Sequence, residues 1–217
     1  MREYLSNEIY RSQLVDLFFQ HIYLALVPVL LAVVIALPLG WLAHRNRTAT
    51  AIMLGVSSIV YTIPSLALFI VLPLAIGTAF TSTINILIAL TLYTVALLVR
   101  TVVDALESLP GPVLGAATAM GYRPLRRAVT VELPMAIPVL VSGLRVAVVS
   151  NVSLVSIGAL LGSGGLGLLF IFGLNRNFVA PQVAALVLSA LIALVADGLL
   201  VLGQRVATPW LRVSSAS

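Results

Sequence analysis

Long stretches without charge dominate the chain, and short charged segments separate them. Asp, Glu and Arg are absent from residues 17–43 and again from residues 48–99. A membrane-spanning helix needs about 20 consecutive apolar residues, so the first stretch fits one helix and the second fits two. The turn between those two helices is expected at "GTAFTST", residues 77–83.

The same pattern predicts five transmembrane helices in a single domain, residues 1–217. We expect these helices at about residues 17–43, 51–76, 84–104, 134–160 and 180–203, the fourth starting at Pro134 or Pro138. The N-terminal twenty residues mix polar and aromatic side chains, which favours a short helix on the outer membrane face. The predicted fold class is an all-α integral membrane protein.

The composition agrees with a membrane location and excludes several chemistries. Hydrophobic residues make up 61% of the chain and charged residues only 9%, whereas a soluble domain averages about 25% charged residues. All twelve basic residues are arginine, and a Walker A phosphate-binding loop needs a lysine, so the chain lacks that ATP site. Cysteine is absent, which excludes disulfides and thiol nucleophiles.

The arginines predict how the helices are oriented. Eight fall on one side of the predicted membrane, namely Arg45, Arg47, Arg100, Arg123, Arg126, Arg127, Arg205 and Arg212. Three fall on the other side, namely Arg2, Arg11 and Arg176. Because cytoplasmic loops carry excess arginine, we expect the N-terminus outside and the C-terminus in the cytoplasm. This bias explains the net charge of +5 better than nucleic-acid binding does.

The segment "GAATAMGYRPLRRAVTVELP", residues 115–134, interrupts the apolar pattern. Gly121 is a natural helix end, and Pro124 suits the first turn of a new helix. The segment therefore predicts a helix, a sharp turn and a second helix.

Two kinds of side chain predict a docking surface on this segment. The first helix has a flat side of small or apolar residues: Ala116, Ala117, Met120 and Gly121. The second helix, which follows Tyr122, has Arg123, Arg126 and Arg127 at spacings that share one face. An apolar flat with a basic edge suits a groove on another protein. Alternatively, the arginines only fix the topology.

The segment resembles a motif of the binding-protein-dependent ABC importer permeases, E-A-A-x3-G-x9-I-x-L-P. The matching residues are Ala116, Ala117, Gly121, Val131, Leu133 and Pro134. Gly115 stands in place of the glutamate. The strings "YTIPSLALFIVLPL" and "VELPMAIPVLVSGLRVAVVSNVSLVSIGALLGSGGLG" are similar to the osmoprotectant branch of that family, which imports glycine betaine, choline, carnitine and related amines. The similarity covers about residues 21–203.

This resemblance implies a non-catalytic permease subunit with the type I importer fold, in a prokaryotic plasma membrane. It implies that residues 108–134 dock onto a pair of cytoplasmic ABC ATPase subunits, which bind ATP and Mg, so that this chain needs no cofactor. It also implies a second permease copy or paralogue, an extracytoplasmic solute-binding protein and contact with membrane lipid. An importer of another small solute, such as an amino acid, is the alternative. An intramembrane enzyme is disfavoured because the sequence has no nucleophile with a paired base and no H-E-x-x-H motif.

Polar residues inside the predicted helices are candidates for a translocation path. They are Tyr61, Ser65, Asn151, Ser153 and Ser156. Neutral hydroxyls, an amide and a tyrosine ring suit weak contacts with a passing cation. Alternatively, these groups form hydrogen bonds between helices.

Three further features complete the sequence-based expectations. "GSGGLG" contains Gly162, Gly164, Gly165 and Gly167. A dinucleotide-binding site is disfavoured, because no strand is expected before these glycines and no acidic residue follows about 20 positions later. The family resemblance implies instead a loop near the outer gate. Arg145 and Asp197 are candidate partners; the alternative for Arg145 is snorkelling to the membrane surface. His21 and His44 are too far apart to share a metal, and both are expected at the membrane interfaces.

Overall fold

The computed structural model describes residues 8–212, and all its regular structure within that range is helical. The helices are α1 (Glu8–His44), α2 (Arg47–Thr62), α3 (Ser65–Ile76), α4 (Thr83–Glu107), α5 (Gly111–Ala119), α6 (Pro124–Arg127), α7 (Leu133–Gly158), α8 (Leu168–Asn175) and α9 (Val179–Ala207). A π-helical turn (Ala128–Glu132) joins α6 to α7, and short 3-10 turns occupy Ala159–Leu161 and Pro209–Arg212. Arg2 lies outside the described residues.

Contacts at the two ends of the bundle show how α1 and α4 are oriented relative to each other. Gln20 of α1 and Thr81, just before α4, both lie beside the loop of residues 162–167. Gly40 of α1 packs on Val102 of α4 toward the opposite end. Helices α1 and α4 therefore run in parallel, so the α2–α3 pair between them must carry the chain back once. Within the described residues, four helical segments are long and apolar enough to span a membrane alone, and the bent α2–α3 pair is the candidate for a fifth crossing.

The second predicted span is not one straight helix. Helices α2 and α3 meet at 99° across the break at Ile63 and Pro64. A residue before proline is pushed out of the helical region, and Ile63 is indeed extended, with ψ at 127°. The hydroxyl of Tyr93 donates a hydrogen bond to the freed carbonyl of Ile63, as a membrane interior requires.

The first helix also differs from expectation. Residues 8–16 continue α1 without a break, giving a single helix of 37 residues. Its length is about 55 Å at 1.5 Å per residue, well beyond a hydrocarbon core of about 30 Å. The described part of the N-terminal segment therefore extends the first span and is not a separate surface helix.

Small residues allow the long helices to pack closely. A side chain at three glycines would collide with a neighbouring helix: Gly40 against Val102, Gly143 against Thr101, and Gly158 against Ile86. Close backbone approach is the main source of helix association inside a membrane. Helices α1, α4 and α7 form the buried centre in this way, whereas α2 buries no residue.

Candidate functional site

The segment of residues 111–127, here called the elbow, has the predicted helix–turn–helix form. Met120 caps α5 and Gly121 follows with φ at +81°. The amide of Tyr122 donates to the carbonyl of Ala117 at 3.2 Å, and the amide of Gly121 donates to Thr118 at 3.0 Å. These two bonds define a Schellman motif, which stops a helix sharply. Pro124 then occupies the first turn of α6, so both sequence-based assignments are confirmed.

An internal ion pair braces the elbow. The Nε of Arg127 donates to Oε1 of Glu132 at 2.7 Å, and its Nη1 donates to the Thr118 hydroxyl at 2.8 Å. The Glu132 side chain is only 5% exposed. Arg127 thereby ties α5 to the π turn that leads into α7.

The elbow surface differs from the predicted one at two positions. Arg127 is turned toward Glu132, so the basic edge consists of Arg123 and Arg126 alone. The wide π turn and the buried acid explain this, since simple helical spacing assumes an exposed, regular helix. Ala117 is 2% exposed and lies under the flat side instead of on it.

The remaining elbow surface is apolar and open. Met120 is 70% exposed and Leu125 66%, and Val129, in the adjoining π turn, is 57% exposed. The guanidinium of Arg126 stacks 4.9 Å from the Tyr122 ring. Ala116 and Gly121 are also exposed. This surface combines large exposed apolar side chains with a basic edge, a composition that marks binding sites.

Gly115, where the family motif has glutamate, is surrounded by open space. A Cβ added there meets nothing within 4 Å. The missing acid is therefore not a response to crowding. The structure offers no steric reason for this glycine.

The predicted path residues do not form one continuous surface in this chain. Asn151 is buried, and its amide accepts from the Thr94 hydroxyl at 3.1 Å and donates to the Ala25 carbonyl at 3.3 Å. It thus ties α7 to α4 and α1. Ser153 is exposed and its hydroxyl donates to its own helix at Val149.

The other predicted path residues lie nearer the exterior. Tyr61 is exposed and packs edge-on against Tyr93, with ring centroids 6.1 Å apart. Ser65, just after the break, and Ser156 are half-buried. Tyr61 and Asn151 share one small cleft between α2, α4 and α7, whose described lining includes none of the three serines.

The glycine loop, residues 162–167, has a specific backbone conformation at the end of the bundle opposite the elbow. Gly162, Gly164 and Gly165 all have positive φ values, which side chains rarely adopt. Gly167 has an ordinary φ, but a Cβ there would lie 2.5 Å from the carbonyl oxygen of Ser156. The structure thus explains why glycine is favoured at all four positions.

His21 and Gln20 fasten this loop to α1. The Gly165 amide donates to Oε1 of Gln20 at 2.9 Å, and the Leu166 amide donates to Nδ1 of His21 at 3.2 Å. Nε2 of His21 donates to the Val152 carbonyl at 3.1 Å. His21 is fully buried, so its side chain does not face the membrane interface as expected. Its polarity suggested an interface, but the loop amides satisfy the ring inside the protein.

The predicted partnership of Arg145 with Asp197 is present. Nε and Nη2 of Arg145 donate to the two carboxylate oxygens of Asp197 at 2.5 and 2.8 Å. This two-pronged geometry favours a defined orientation. The pair joins α7 to α9, which buries few residues of its own.

Sequence reasoning missed a polar groove between α2 and α4. The arginine count groups Arg100 with the arginines of the cytoplasmic loops, but Arg100 lies inside α4, seven residues before the helix ends at Glu107. Arg100 and Asp104 line the groove together with Ser57, Ser58, Tyr61, Thr62, Ala96, Leu97 and Thr101. Two charges one turn apart within a predicted span were the available signal. Among the described residues, no group of three His, Asp or Glu side chains could hold a metal.

We expect His21→Ala to loosen the glycine loop and lower stability. The change leaves the Leu166 amide without its acceptor, and an unsatisfied buried group costs about 1–3 kcal/mol. Thermal unfolding of the purified protein in detergent should show a lower midpoint. His44→Ala is the matched control, because within residues 8–212 the Nδ1 atom of His44 has no hydrogen-bond partner. Equal midpoints for both variants would contradict the fastening role of His21.

Comparison with known proteins identifies the family. A family model described as "Binding-protein-dependent transport system inner membrane component" matches residues 28–206. The chain belongs to this family. The osmoprotectant import permease protein OsmW of Salmonella typhimurium is 39% identical over 90% of this chain and 92% of its own length. The glycine betaine/carnitine/choline transport system permease protein OpuCD of Bacillus subtilis is 33% identical over 83% of this chain and 78% of its own length.

Solved structures agree on the fold of this family member. A chain of the MetNI methionine ABC transporter in an inward-facing conformation has a TM-score of 0.82 and 24% identity, covering 93% of this chain and 99% of that one. The all-α membrane fold of an importer permease, predicted from the sequence, is confirmed. The elbow is therefore part of a membrane transport component.

Proposed function

We propose that this chain is the permease subunit of an ATP-driven importer for osmoprotectants such as glycine betaine, carnitine and choline. The supporting observation is the 39% identity to OsmW along nearly the whole of both chains. The similarity to OpuCD, whose name includes the same solutes, points the same way. The alternative solute class, amino acids, is favoured only by the fold likeness to a methionine transporter.

The elbow is the proposed contact with a cytoplasmic ABC ATPase. The proposed contact residues are the sequence-predicted residues at this surface: Ala116, Met120, Gly121, Tyr122, Arg123 and Arg126. Ala117 and Arg127 support them from beneath. The Schellman turn and the Arg127–Glu132 pair make the elbow rigid, so a push on it would pass through the π turn into α7. Catalysis and the binding of ATP and Mg belong to the ATPase in this scheme.

The permease works as a dimer with a like or unlike permease chain. In this scheme α2 gains its missing partner in the dimer, since it buries no residue here. Tyr61, Ser65, Asn151, Ser153 and Ser156 remain candidates near the path, and the loop of residues 162–167 is the proposed outer gate. The N-terminus lies outside, the C-terminus lies in the cytoplasm, and an external binding protein delivers the solute.

Reconstitution tests this function directly. The permease, its ATPase and its binding protein are placed in liposomes, and ATP-dependent accumulation of glycine betaine, carnitine and choline is compared with that of methionine. We expect accumulation of the quaternary amines only. Accumulation of methionine alone would overturn the solute class, and accumulation of all four without the ATPase would overturn the importer mechanism.

A further inference from the structure

The groove between α2 and α4 has the size and the chemistry of a ligand site. Its volume is about 450 Å³, within the range of roughly 300–1,000 Å³ typical of small-molecule pockets. Hydroxyl groups and one aromatic ring line it, and Arg100 and Asp104 supply one charge of each sign. Both charged side chains are exposed, and within the described part of the chain neither forms an ion pair.

This groove is poorly suited to face lipid. Arg100 lies about 10 Å before the end of α4 at 1.5 Å per residue, within a helix otherwise apolar enough to span a membrane. Charged side chains at such depth face protein or water and mark solute pathways. The exposed Leu92 of the same helix shows the kind of residue that lipid contact favours.

The charges are arranged along the groove in a definite order. Tyr61, from α2, packs against Tyr93 of α4 and shares a cleft with Leu97, so its ring lies one to two helical turns before Arg100. Asp104 lies one turn after Arg100 on the same face. A ring, a cation and an anion thus follow one another toward the elbow end.

We infer that this groove is a transient site for a zwitterionic solute that carries both a quaternary ammonium and a carboxylate; the inference rests on the proposed function. The Arg100 guanidinium accepts the carboxylate, because its fork matches two carboxylate oxygens. The ammonium lies over the Tyr61 ring, which attracts cations through its π face. Asp104 lies one helical turn beyond Arg100, and its negative charge repels the solute's carboxylate, so the solute is held weakly and can leave.

The test compares solutes that differ in the carboxylate. Arg100→Gln is introduced into the complete reconstituted importer, and uptake of glycine betaine is measured against uptake of choline, which has no carboxylate. We expect the betaine-to-choline uptake ratio to fall about tenfold or more, because a single charge-assisted hydrogen bond is worth about that factor and the guanidinium fork can form two. Tyr61→Leu should lower uptake of both solutes together and leave the ratio unchanged.

The ratio is measured within each preparation, so it does not depend on how much complex assembles. Arg47→Gln removes the same charge at an exposed position that is not among the groove-lining residues, and it should leave the ratio unchanged. If Arg100→Gln fails to assemble, Arg100→Lys keeps the charge, loses the fork and should also lower the ratio. A wild-type importer that takes up neither solute would defeat the proposed function. An active wild type with an unchanged ratio in both Arg100 variants would defeat this inference alone.

Discussion

Replacing Gly121 with valine is expected to abolish ATP-driven uptake without removing the protein from the membrane. Gly121 has φ at +81°, and a β-branched residue is strongly disfavoured there. The left-handed conformation costs an ordinary residue roughly 1–2 kcal/mol, so the Schellman turn should open and α6 should change direction. The exposed apolar side chains on either side of the turn would then lose their common surface. Uptake and ATPase binding are measured in the same membranes.

Gly115→Val is the matched control for this substitution. Gly115 lies in the same elbow, and a Cβ added there has open space around it. The Gly115→Val variant should retain ATPase binding and uptake within a few-fold of the wild-type values. Normal uptake by Gly121→Val would show that the shape of the elbow does not matter for transport.

Removing the Arg127 side chain is expected to cause the largest loss of stability. Glu132 is buried, and Arg127 is its ion-pair partner within the described residues. Loss of one member leaves an unpaired buried charge, which costs about 3 kcal/mol or more. Thermal unfolding of Arg127→Ala in detergent should show a clearly lower midpoint, and ATPase binding should weaken because α5 is released from the π turn.

Two further variants separate this effect from a general loss of positive charge. Arg126→Ala removes an exposed arginine that stacks on Tyr122, a contact worth about 0.5–1 kcal/mol. The double variant Arg127→Met with Glu132→Leu removes both charges and should recover most of the stability. If Arg126→Ala were as destabilising as Arg127→Ala, the bracing role of the ion pair would be wrong.

Local sequence signals predicted the features that depend on neighbouring residues. Gly121 and Pro124 identify the turn because each has a conformational preference that neighbours rarely override. The uncharged stretches identify the spans for a different reason, because insertion of a helix into the membrane depends mainly on its composition. The partnership of Arg145 and Asp197 was also predictable, because two opposite charges in neighbouring spans have few other partners.

Features that depend on packing were not predictable in this way. Arg127 points inward because the π turn shifts the helical register and brings Glu132 within hydrogen-bonding distance. No spacing of residues in the sequence predicts a π turn. His21 is buried because loop amides more than a hundred residues away satisfy its ring. At the 99° bend, the Tyr93 hydroxyl, thirty residues away along the chain, donates a hydrogen bond to the Ile63 carbonyl, and no local pattern predicts that contact.

Thiol labelling can show on which side of the membrane the elbow lies and whether the ATPase covers it. Because the chain has no cysteine, Met120→Cys provides a single reactive thiol at a side chain that is 70% exposed. A membrane-impermeant maleimide is applied from each side, with Leu174→Cys as the control at the opposite end. We predict labelling of residue 120 only from the cytoplasmic side, and protection when the ATPase is bound. Labelling from the outside, or equal labelling with and without the ATPase, would contradict this prediction.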